Sequence, residues 1–304
     1  MEFISTFANQ MIVYATIYTL ASLGIVITGR TGIFNVAAEG IMLSAASFGF
    51  MAAFFSGSWA VGFLVGALMG AAFGLILAFL HEQFRVNQFI LSICLVILGS
   101  GLADMGYKVI MGIRLDAPKA PHTPILSVPL LSNIPILRAL FSANAIVWLM
   151  YLLTFGAWWF FYRTQWGLET RAIGENPRSA DVAGIPVRRI RYTATIVGAA
   201  IIGLAGAYIP LVITETYTPD ISAGRGFMSI GIAIFASWKP QRAILGGLLF
   251  SAIEVLSFQL QMLSSPIPYQ FFMMLPFFAV IAIMILSKKT IEYPASIGKP
   301  YYRE

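Results

Sequence analysis

The amino-acid sequence predicts an all-α protein that crosses a membrane about nine times, with eight to ten crossings as the range. Two observations predict this class. Of the 304 residues, 59% are hydrophobic and only 11% are charged, whereas charged residues make up about 25% of an ordinary soluble domain. The apolar residues also fall in runs that approach the roughly 20 residues a helix needs to span a bilayer. We therefore expect one membrane domain over residues 1–304, with only short loops in water.

Nine apolar segments are predicted to be membrane helices. The seventh is too short to cross alone, so we expect a tilted partial helix or a helix joined to residues before it. A segment broken by glycine or proline at membrane depth is tolerated only where protein or a cavity covers its backbone. The nine segments are 9–28, 39–56, 59–80, 88–107, 142–162, 193–213, 226–238, 241–260 and 269–287.

The distribution of lysine and arginine predicts the orientation. If the C-terminal tail is cytoplasmic, alternation places most of the 19 lysines and arginines on that side, including six arginines in the loop 163–192. Cytoplasmic loops are enriched in these residues, so we expect the N-terminus outside and the C-terminus inside. The loop 108–141 contains five prolines, which forbid a continuous helix. We expect it to form an extracytoplasmic cap with short interfacial helices.

The two halves of the chain share a pattern. Four segments precede the fifth span and enter first from outside, and four follow it and enter first from inside. Each set has a glycine-rich interruption after its first span, TGRTGIFNVAAEG at 28–40 and ETYTPDISAGRGF at 215–227. Inverted repeats with paired interrupted helices are typical of transporters, and the interruptions tend to line the pathway. The alternative is a chance match, because glycine is common in membrane helices.

A polar stretch, RAIGENPRSADVAGIPVRRIR at 171–191, lies between two apolar runs. Asn176 is a good N-cap and Pro177 suits the first helical position. Gly184 offers a left-handed C-cap, and Pro186 stops any continuation. We therefore predict a short cytoplasmic helix that docks into a groove on another protein. The small residues predicted to form its docking face are Ser179, Ala180 and Ala183.

The segment GLETRAIGENPRSADVAGIPVRR resembles the coupling region of ATP-binding-cassette (ABC) importer permeases, in the branch that serves nucleosides, simple sugars and branched-chain amino acids. GRTGIFNVAAEGIMLSAASFGF and GRGFMSIGIAIFASWKPQRAILGGLLFSAIE resemble further motifs of that branch, and PASIGKPYYRE resembles the ending of nucleoside-type permeases. The chain departs from the pattern at Ser179, where alanine is usual, and before the first motif, where only Arg30 of an acid–arginine pair remains. The coupling-region matches are Arg171, Ala172, Gly174, Asn176, Pro177, Ala180, Gly184 and Ile185.

The resemblance implies a multi-pass permease subunit in a bacterial or archaeal cell (inner) membrane. It implies import by alternating access, with nucleosides as the expected substrate and simple sugars or branched-chain amino acids as alternatives. Expected partners are an ATPase that binds ATP and Mg²⁺, an extracytoplasmic binding lipoprotein, membrane lipid and a related permease in a heterodimer. The implied ATPase-coupling loop comprises Arg171, Gly174, Glu175, Asn176, Pro177, Arg178, Ser179, Ala180, Asp181, Ala183 and Gly184.

Several function classes are not expected. A P-loop needs Gly-Lys followed by Ser or Thr, but Gly298-Lys299 is followed by proline, so we expect neither bound cofactor nor ATPase activity in this chain. His81 and His122 have no ligand cluster or nucleophile nearby in sequence, so no metal or catalytic site is predicted. The net charge of +6 reflects loop orientation, not a nucleic-acid partner. An ion-coupled carrier remains the alternative, although it gives no reason for the loop helix.

Polar and aromatic residues in the apolar regions are candidates for the translocation path. A charge at membrane depth costs about 2.5–3.5 kcal/mol on insertion scales and indicates function. Glu254 could face a hydrated path or bond a neighbouring helix. Glu39 could instead favour the first turn of its own helix, and Arg225 is expected to form a local ion pair with Glu215 or Asp220. The path candidates are Phe34, Asn35, Glu39, Phe89, Phe227 and Glu254, with bilayer-facing packing as the alternative for each aromatic residue.

Overall fold

The computed structural model describes residues 2–112, 118–127, 142–262, 268–287, 292–299 and 301. Within these ranges the chain forms twelve α-helices, one π-helical turn at Ile209–Ile213 and two short strands. The helices are α1 Glu2–Gly29, α2 Ala38–Ser56, α3 Trp59–Phe84, α4 Gln88–Met111, α5 Ala145–Arg163, α6 Gln165–Glu175, α7 Pro177–Val182, α8 Val187–Tyr208, α9 Arg225–Phe235, α10 Pro240–Met262, α11 Tyr269–Met273 and α12 Leu275–Ser287. The strands are β1 Ile125–Ser127 and β2 Ser142–Asn144.

The predicted class is confirmed. In the described part of the chain, seven helices are long and apolar enough to cross a membrane, namely α1, α2, α3, α4, α5, α8 with its π-turn, and α10. Two shorter apolar helical stretches, at Arg225–Phe235 and Gln270–Ile285, complete the set. These nine stretches fall on the nine predicted segments.

The loop predicted to form an extracytoplasmic cap differs from that prediction in its described residues. Residues 113–117 and 128–141 lie outside the described residues. Residues 118–127 hold a strand, not an interfacial helix: β1 pairs antiparallel with β2, with Ile125 opposite Asn144. The fifth span consequently begins at Ala145 instead of 142, because Asn144 caps it by accepting a hydrogen bond from the Val147 N–H at 3.1 Å.

The two interrupted segments meet inside the helical bundle. Gly40, in the first turn of α2, packs against Gly99 at the middle of α4, where a Cβ on Gly99 would lie 2.3 Å from the Gly40 carbonyl oxygen. With a rise of 1.5 Å per residue, α2 therefore begins about 16 Å from the ends of α4. Gly226, in the first turn of α9, touches Glu39, since a Cβ there would lie 2.6 Å from the Glu39 Cα. The two helices that follow the interruptions, α2 and α9, thus start where other helices cover their backbones, as such breaks require.

Closely packed glycines join α3 to α8. A Cβ on Gly70 would lie 2.2 Å from the Ala199 carbonyl oxygen, and one on Gly203 would lie 2.2 Å from the Gly66 carbonyl oxygen. Small residues on one helix face let two backbones approach, which is a common way for membrane helices to associate. The α3 glycines in this contact recur every fourth position, at Gly66, Gly70 and Gly74.

Substituting Gly70→Leu is expected to destabilise the permease by about 3 kcal/mol or more, the upper end of overpacking costs, because the new side chain meets backbone that cannot move aside. The measurement is thermal unfolding of the detergent-solubilised protein. Gly101→Leu in α4 is the matched control, since no atom lies within 4 Å of a Cβ at that helical glycine. Equal melting temperatures for the two variants would contradict the close α3–α8 contact.

Candidate functional site

Glu39 of α2 caps the first turn of α9. Its Oε1 accepts hydrogen bonds from the Ser222 hydroxyl at 2.5 Å and the Gly224 N–H at 2.9 Å. Its Oε2 accepts the Gly226 N–H at 2.7 Å. The first N–H groups of a helix lack partners in their own helix and attract negative charge, so the carboxylate satisfies both needs. Glu39 lies in the first turn of its own helix, α2, as the capping alternative predicted. Its side chain also binds the start of α9, a partner that the sequence did not indicate.

Two features of the second interruption make this cap possible. Gly224 has φ +80°, a left-handed conformation that turns the chain into α9. Gly226 has no side chain, and this leaves room for the Glu39 backbone. The glycines of the GRGF motif therefore let the two interrupted segments touch. This explains why the motif has glycine at both positions.

A second buried carboxylate lies beside this cap. Arg225 donates from Nε and Nη2 to Oε1 of Glu254 in α10, at 3.0 and 2.7 Å. The two side chains are 12% and 7% exposed, and the guanidinium lies 5.8 Å from the centre of the Tyr14 ring in α1. Of the two predictions for Glu254, a hydrated path or a bond to a neighbouring helix, the bond to a neighbouring helix is observed.

The local ion pair predicted for Arg225 is wrong. Glu215 and Asp220 are exposed, and positive φ angles of 56° and 55° at these residues turn the chain sharply before α9 begins. The first turn of α9 instead faces α10, where Glu254 lies. The other oxygen of Glu254, Oε2, is buried without a hydrogen-bond partner among the described residues.

Substituting Arg225→Met is expected to cost about 3–5 kcal/mol of stability, because it leaves the buried Glu254 carboxylate without its cation. The double variant Arg225→Met/Glu254→Met should recover most of that loss, since no uncompensated charge remains. Thermal unfolding of the wild type, the two single variants and the double variant measures the coupling. Additive losses in the double variant would show that the pair does not interact.

The segment that joins α1 to α2 also contacts the far end of α9. Arg30 donates from Nε to the Trp238 carbonyl at 2.6 Å, and the Phe34 ring packs edge-on against the Trp238 ring with centroids 5.6 Å apart. Trp238 is fully buried. Residues 30–39 therefore contact α9 at its first turn through Glu39 and beyond its last turn through Arg30. We call residues 30–39 the clamp segment.

The remaining path candidates lie around the clamp segment. Phe89 packs edge-on against Phe34, with centroids 5.3 Å apart, so the two belong to one aromatic cluster with Trp238. Asn35 is fully buried, and its Oδ1 accepts the Ala37 N–H at 3.0 Å. Phe227 follows Gly226 in α9 and is 48% exposed.

The predicted loop helix is present as α7. Asn176 accepts the Ser179 N–H at 3.1 Å, Pro177 is the first residue of the helix, and Gly184 follows with φ +84°. The exposed face of α7 differs from the face that was predicted to dock. Ala180 is 4% exposed and packs with Ile173 and Val187, so it supports the loop from within.

The exposed side of α7 carries a residue that the sequence reasoning missed. Val182 is 92% exposed, and Ser179 and Ala183 are exposed beside it. Single exposed apolar residues are normal on protein surfaces, so Val182 is a candidate contact residue because it lies beside the predicted docking residues Ser179 and Ala183. It could have been found by asking which apolar residue in 177–183 has no partner inside the loop.

The C-terminal tail ties this loop to the clamp segment. The backbone N–H and the hydroxyl of Ser296 both donate to the Gly174 carbonyl, at 2.9 and 2.6 Å. The Gly298 N–H donates to the Gly32 carbonyl at 3.0 Å, and the Tyr301 hydroxyl donates to Asp181 of α7 at 2.7 Å. The tail therefore contacts α7, the end of α6 and the first residues of the clamp segment together.

A buried arginine makes a parallel connection. Arg191 of α8 is fully buried and pairs with Glu82 of α3, Nη1 to Oε1 at 3.0 Å. Its Nε donates to the Thr31 carbonyl at 3.1 Å. Through the tail and Arg191, both ends of the stretch 171–191 are therefore joined to Thr31 and Gly32.

Known proteins resemble this chain over most of its length. Residues 7–284 match the family described as the permease component of the branched-chain amino acid transport system. A Haloferax volcanii protein named for a glucose ABC transporter permease is 34% identical over 269 residues, covering 87% of this chain and 80% of that protein. The nucleoside ABC transporter permease NupC of Lactococcus lactis is 30% identical, covering 97% and 96%. The guanosine ABC transporter permease NupQ of Bacillus subtilis is 27% identical, covering 99% and 98%.

Proposed function

Because the chain belongs to the family of branched-chain amino acid transport system permease components and is the multi-pass membrane subunit of an ABC importer, we propose that it takes up nucleosides. Two relatives whose names state nucleoside or guanosine transport align with almost the whole chain, and the tail motif PASIGKPYYRE resembles the nucleoside-type ending. A simple sugar is the second candidate, because a relative named for glucose shares 34% identity.

The importer family implies a partner ATPase and a substrate-binding protein. We propose that ATP and Mg²⁺ bind on the ATPase, that the binding protein is a lipoprotein on the outer side, and that a related second permease completes a heterodimer. The N-terminus lies outside and the C-terminus inside in this proposal. One observation supports that orientation: the arginine-rich coupling loop, the tail and Arg30 all come together at one end of the bundle.

The observation that carries the proposed mechanism is the continuous path of contacts from α7 to α9. Val182 is exposed to a docking ATPase, Ser296 of the tail binds Gly174 at the end of α6, and a Cβ on Gly174 would lie 2.3 Å from the Arg30 carbonyl oxygen. Arg30 and Glu39 then hold the two ends of α9. A shift of the docked ATPase would move the clamp segment and α9 together, and would thereby open or close the path beside the interrupted helices.

The proposal is tested with the complete importer in proteoliposomes, with the ATPase inside and the binding protein outside. We expect ATP-dependent uptake of radiolabelled guanosine, with excess glucose unable to compete. ATP-dependent glucose uptake without guanosine uptake would leave the importer in place and change the substrate. Guanosine uptake driven by an ion gradient, without the ATPase, would replace the importer with the carrier alternative.

A further inference from the structure

A groove of about 600 Å³ runs between α5 and α8, with one residue of α1 and the start of α6 at its base. Its wall on α5 is open at Gly156, where a Cβ would meet no atom within 4 Å. Over most of its length the lining is apolar, for example at Leu152, Val197 and Ile201. A helical bundle packed for its own stability would have closed this gap, so the groove has room for a long apolar group.

The groove changes character along its axis. At the end where α5 stops and α8 starts, its lining includes Arg189, Glu169, Thr170 and Thr193. Trp166, 71% exposed, lies at this polar end. Tryptophan is enriched where a membrane protein passes from hydrocarbon to the polar headgroups. The apolar part therefore lies at hydrocarbon depth, and the polar part lies at the membrane surface beside the arginine-rich loop.

An occupant must match this gradient. It has to be apolar over most of its length and polar at one end, and the polar end has to lie at the membrane surface. The lining itself holds one base, Arg189, and one acid, Glu169. Positive charge is added near this end by two exposed arginines outside the lining, Arg163 at the end of α5 and Arg188 next to Arg189 in sequence. Basic pockets between membrane helices bind anionic lipid headgroups in this way.

We propose that this groove is a binding site for an anionic phospholipid of the leaflet that faces the arginine-rich loop. One acyl chain lies along Gly156 and Val197, and the headgroup phosphate pairs with Arg189. Pro186 also lines the groove, and it lies between the coupling helix α7 and α8. A bound lipid therefore holds α5, α6 and α8 together directly beneath the loop that receives the ATPase.

The test uses the purified full chain in detergent, titrated with phosphatidylglycerol or phosphatidylcholine and followed by native mass spectrometry. Wild type should retain phosphatidylglycerol in preference to phosphatidylcholine. Arg189→Gln should weaken phosphatidylglycerol binding about fivefold, as expected for one basic residue at an anionic headgroup. It should weaken phosphatidylcholine binding less, because the choline cation already offsets the charge of the phosphate. Glu169→Gln should instead strengthen phosphatidylglycerol binding, because it removes the acid from the polar end. A folding defect would not produce such a gain.

Two further variants complete the design. Gly156→Leu fills the apolar part and should reduce binding of both lipids, with unchanged elution on size exclusion as the folding check. Arg242→Gln, which alters an exposed arginine at the start of α10, is the matched control and should bind as wild type. Equal binding of the two lipids to wild type, or no effect of Arg189→Gln and Gly156→Leu, would overturn the site. A dimer of this chain that Gly156→Leu dissociates would also overturn it, because a second copy would then occupy the groove.

Discussion

Replacing Glu39 with alanine is expected to lower ATP-dependent uptake about 100-fold while the ATPase stays bound. The change removes the acceptor for the Ser222 hydroxyl and for the Gly224 and Gly226 N–H groups. Hydrogen bonds to a charged group contribute about 1.5–3 kcal/mol each, and a buried donor left unpaired costs about 1–3 kcal/mol. The start of α9 should therefore detach from α2. The measurements are uptake in proteoliposomes and co-purification of the ATPase.

Two variants sharpen this test. Glu39→Gln keeps the shape but replaces one acceptor oxygen with an NH₂ group, so uptake should fall less than in Glu39→Ala. Glu215→Ala removes an exposed acid from the second interruption and should transport as wild type. If Glu39→Ala transports normally, the contact between the two interrupted helices is not needed for transport, and the proposed route of coupling is wrong.

Replacing Val182 with aspartate is expected to weaken binding of the ATPase at least tenfold, while the permease keeps its melting temperature. Val182 is 92% exposed in the free chain, so the substitution disturbs no internal contact. A charge without a partner in a protein interface costs several times the energy of a lost apolar contact, and residues at the centre of an interface carry most of its energy. The measurement is the dissociation constant of the ATPase from the solubilised permease.

The controls for Val182 use the same side of the membrane. Gln241→Asp adds a charge at an exposed residue at the start of α10 and should leave ATPase binding unchanged. Ala180→Arg is a poor test of docking, because Ala180 is buried against Ile173 and Val187 and the loop itself would unfold. Normal ATPase binding by Val182→Asp would remove α7 from the interface and leave the partner of the coupling loop to be found elsewhere.

Local features of the chain were predictable from the sequence. The nine apolar segments follow from hydropathy, because a helix in a bilayer must be apolar over most of its length. The limits of α7 follow from Asn176, Pro177 and Gly184, whose effects act within a few residues. The two interruptions are visible as glycine-rich breaks in otherwise apolar runs. Each of these depends on neighbours in sequence, so pattern alone was sufficient.

Partnerships between distant residues were decided only by the tertiary structure. Sequence reasoning identified Glu39, Arg225 and Glu254 as notable. It predicted the wrong partner for Arg225, which binds Glu254 across 29 positions, and no distant partner for Glu39, which Ser222 binds across 183 positions. Ala180 has the composition of a docking face, yet it points inward because Ile173 and Val187 enclose it. The partner of a buried charged residue depends on which helices pack beside it. That packing depends on close glycine contacts among many helices at once. Hydropathy and the placement of glycine therefore establish which segments are apolar enough to cross the membrane and where they break. Which residues the breaks bring together depends on how the helices pack.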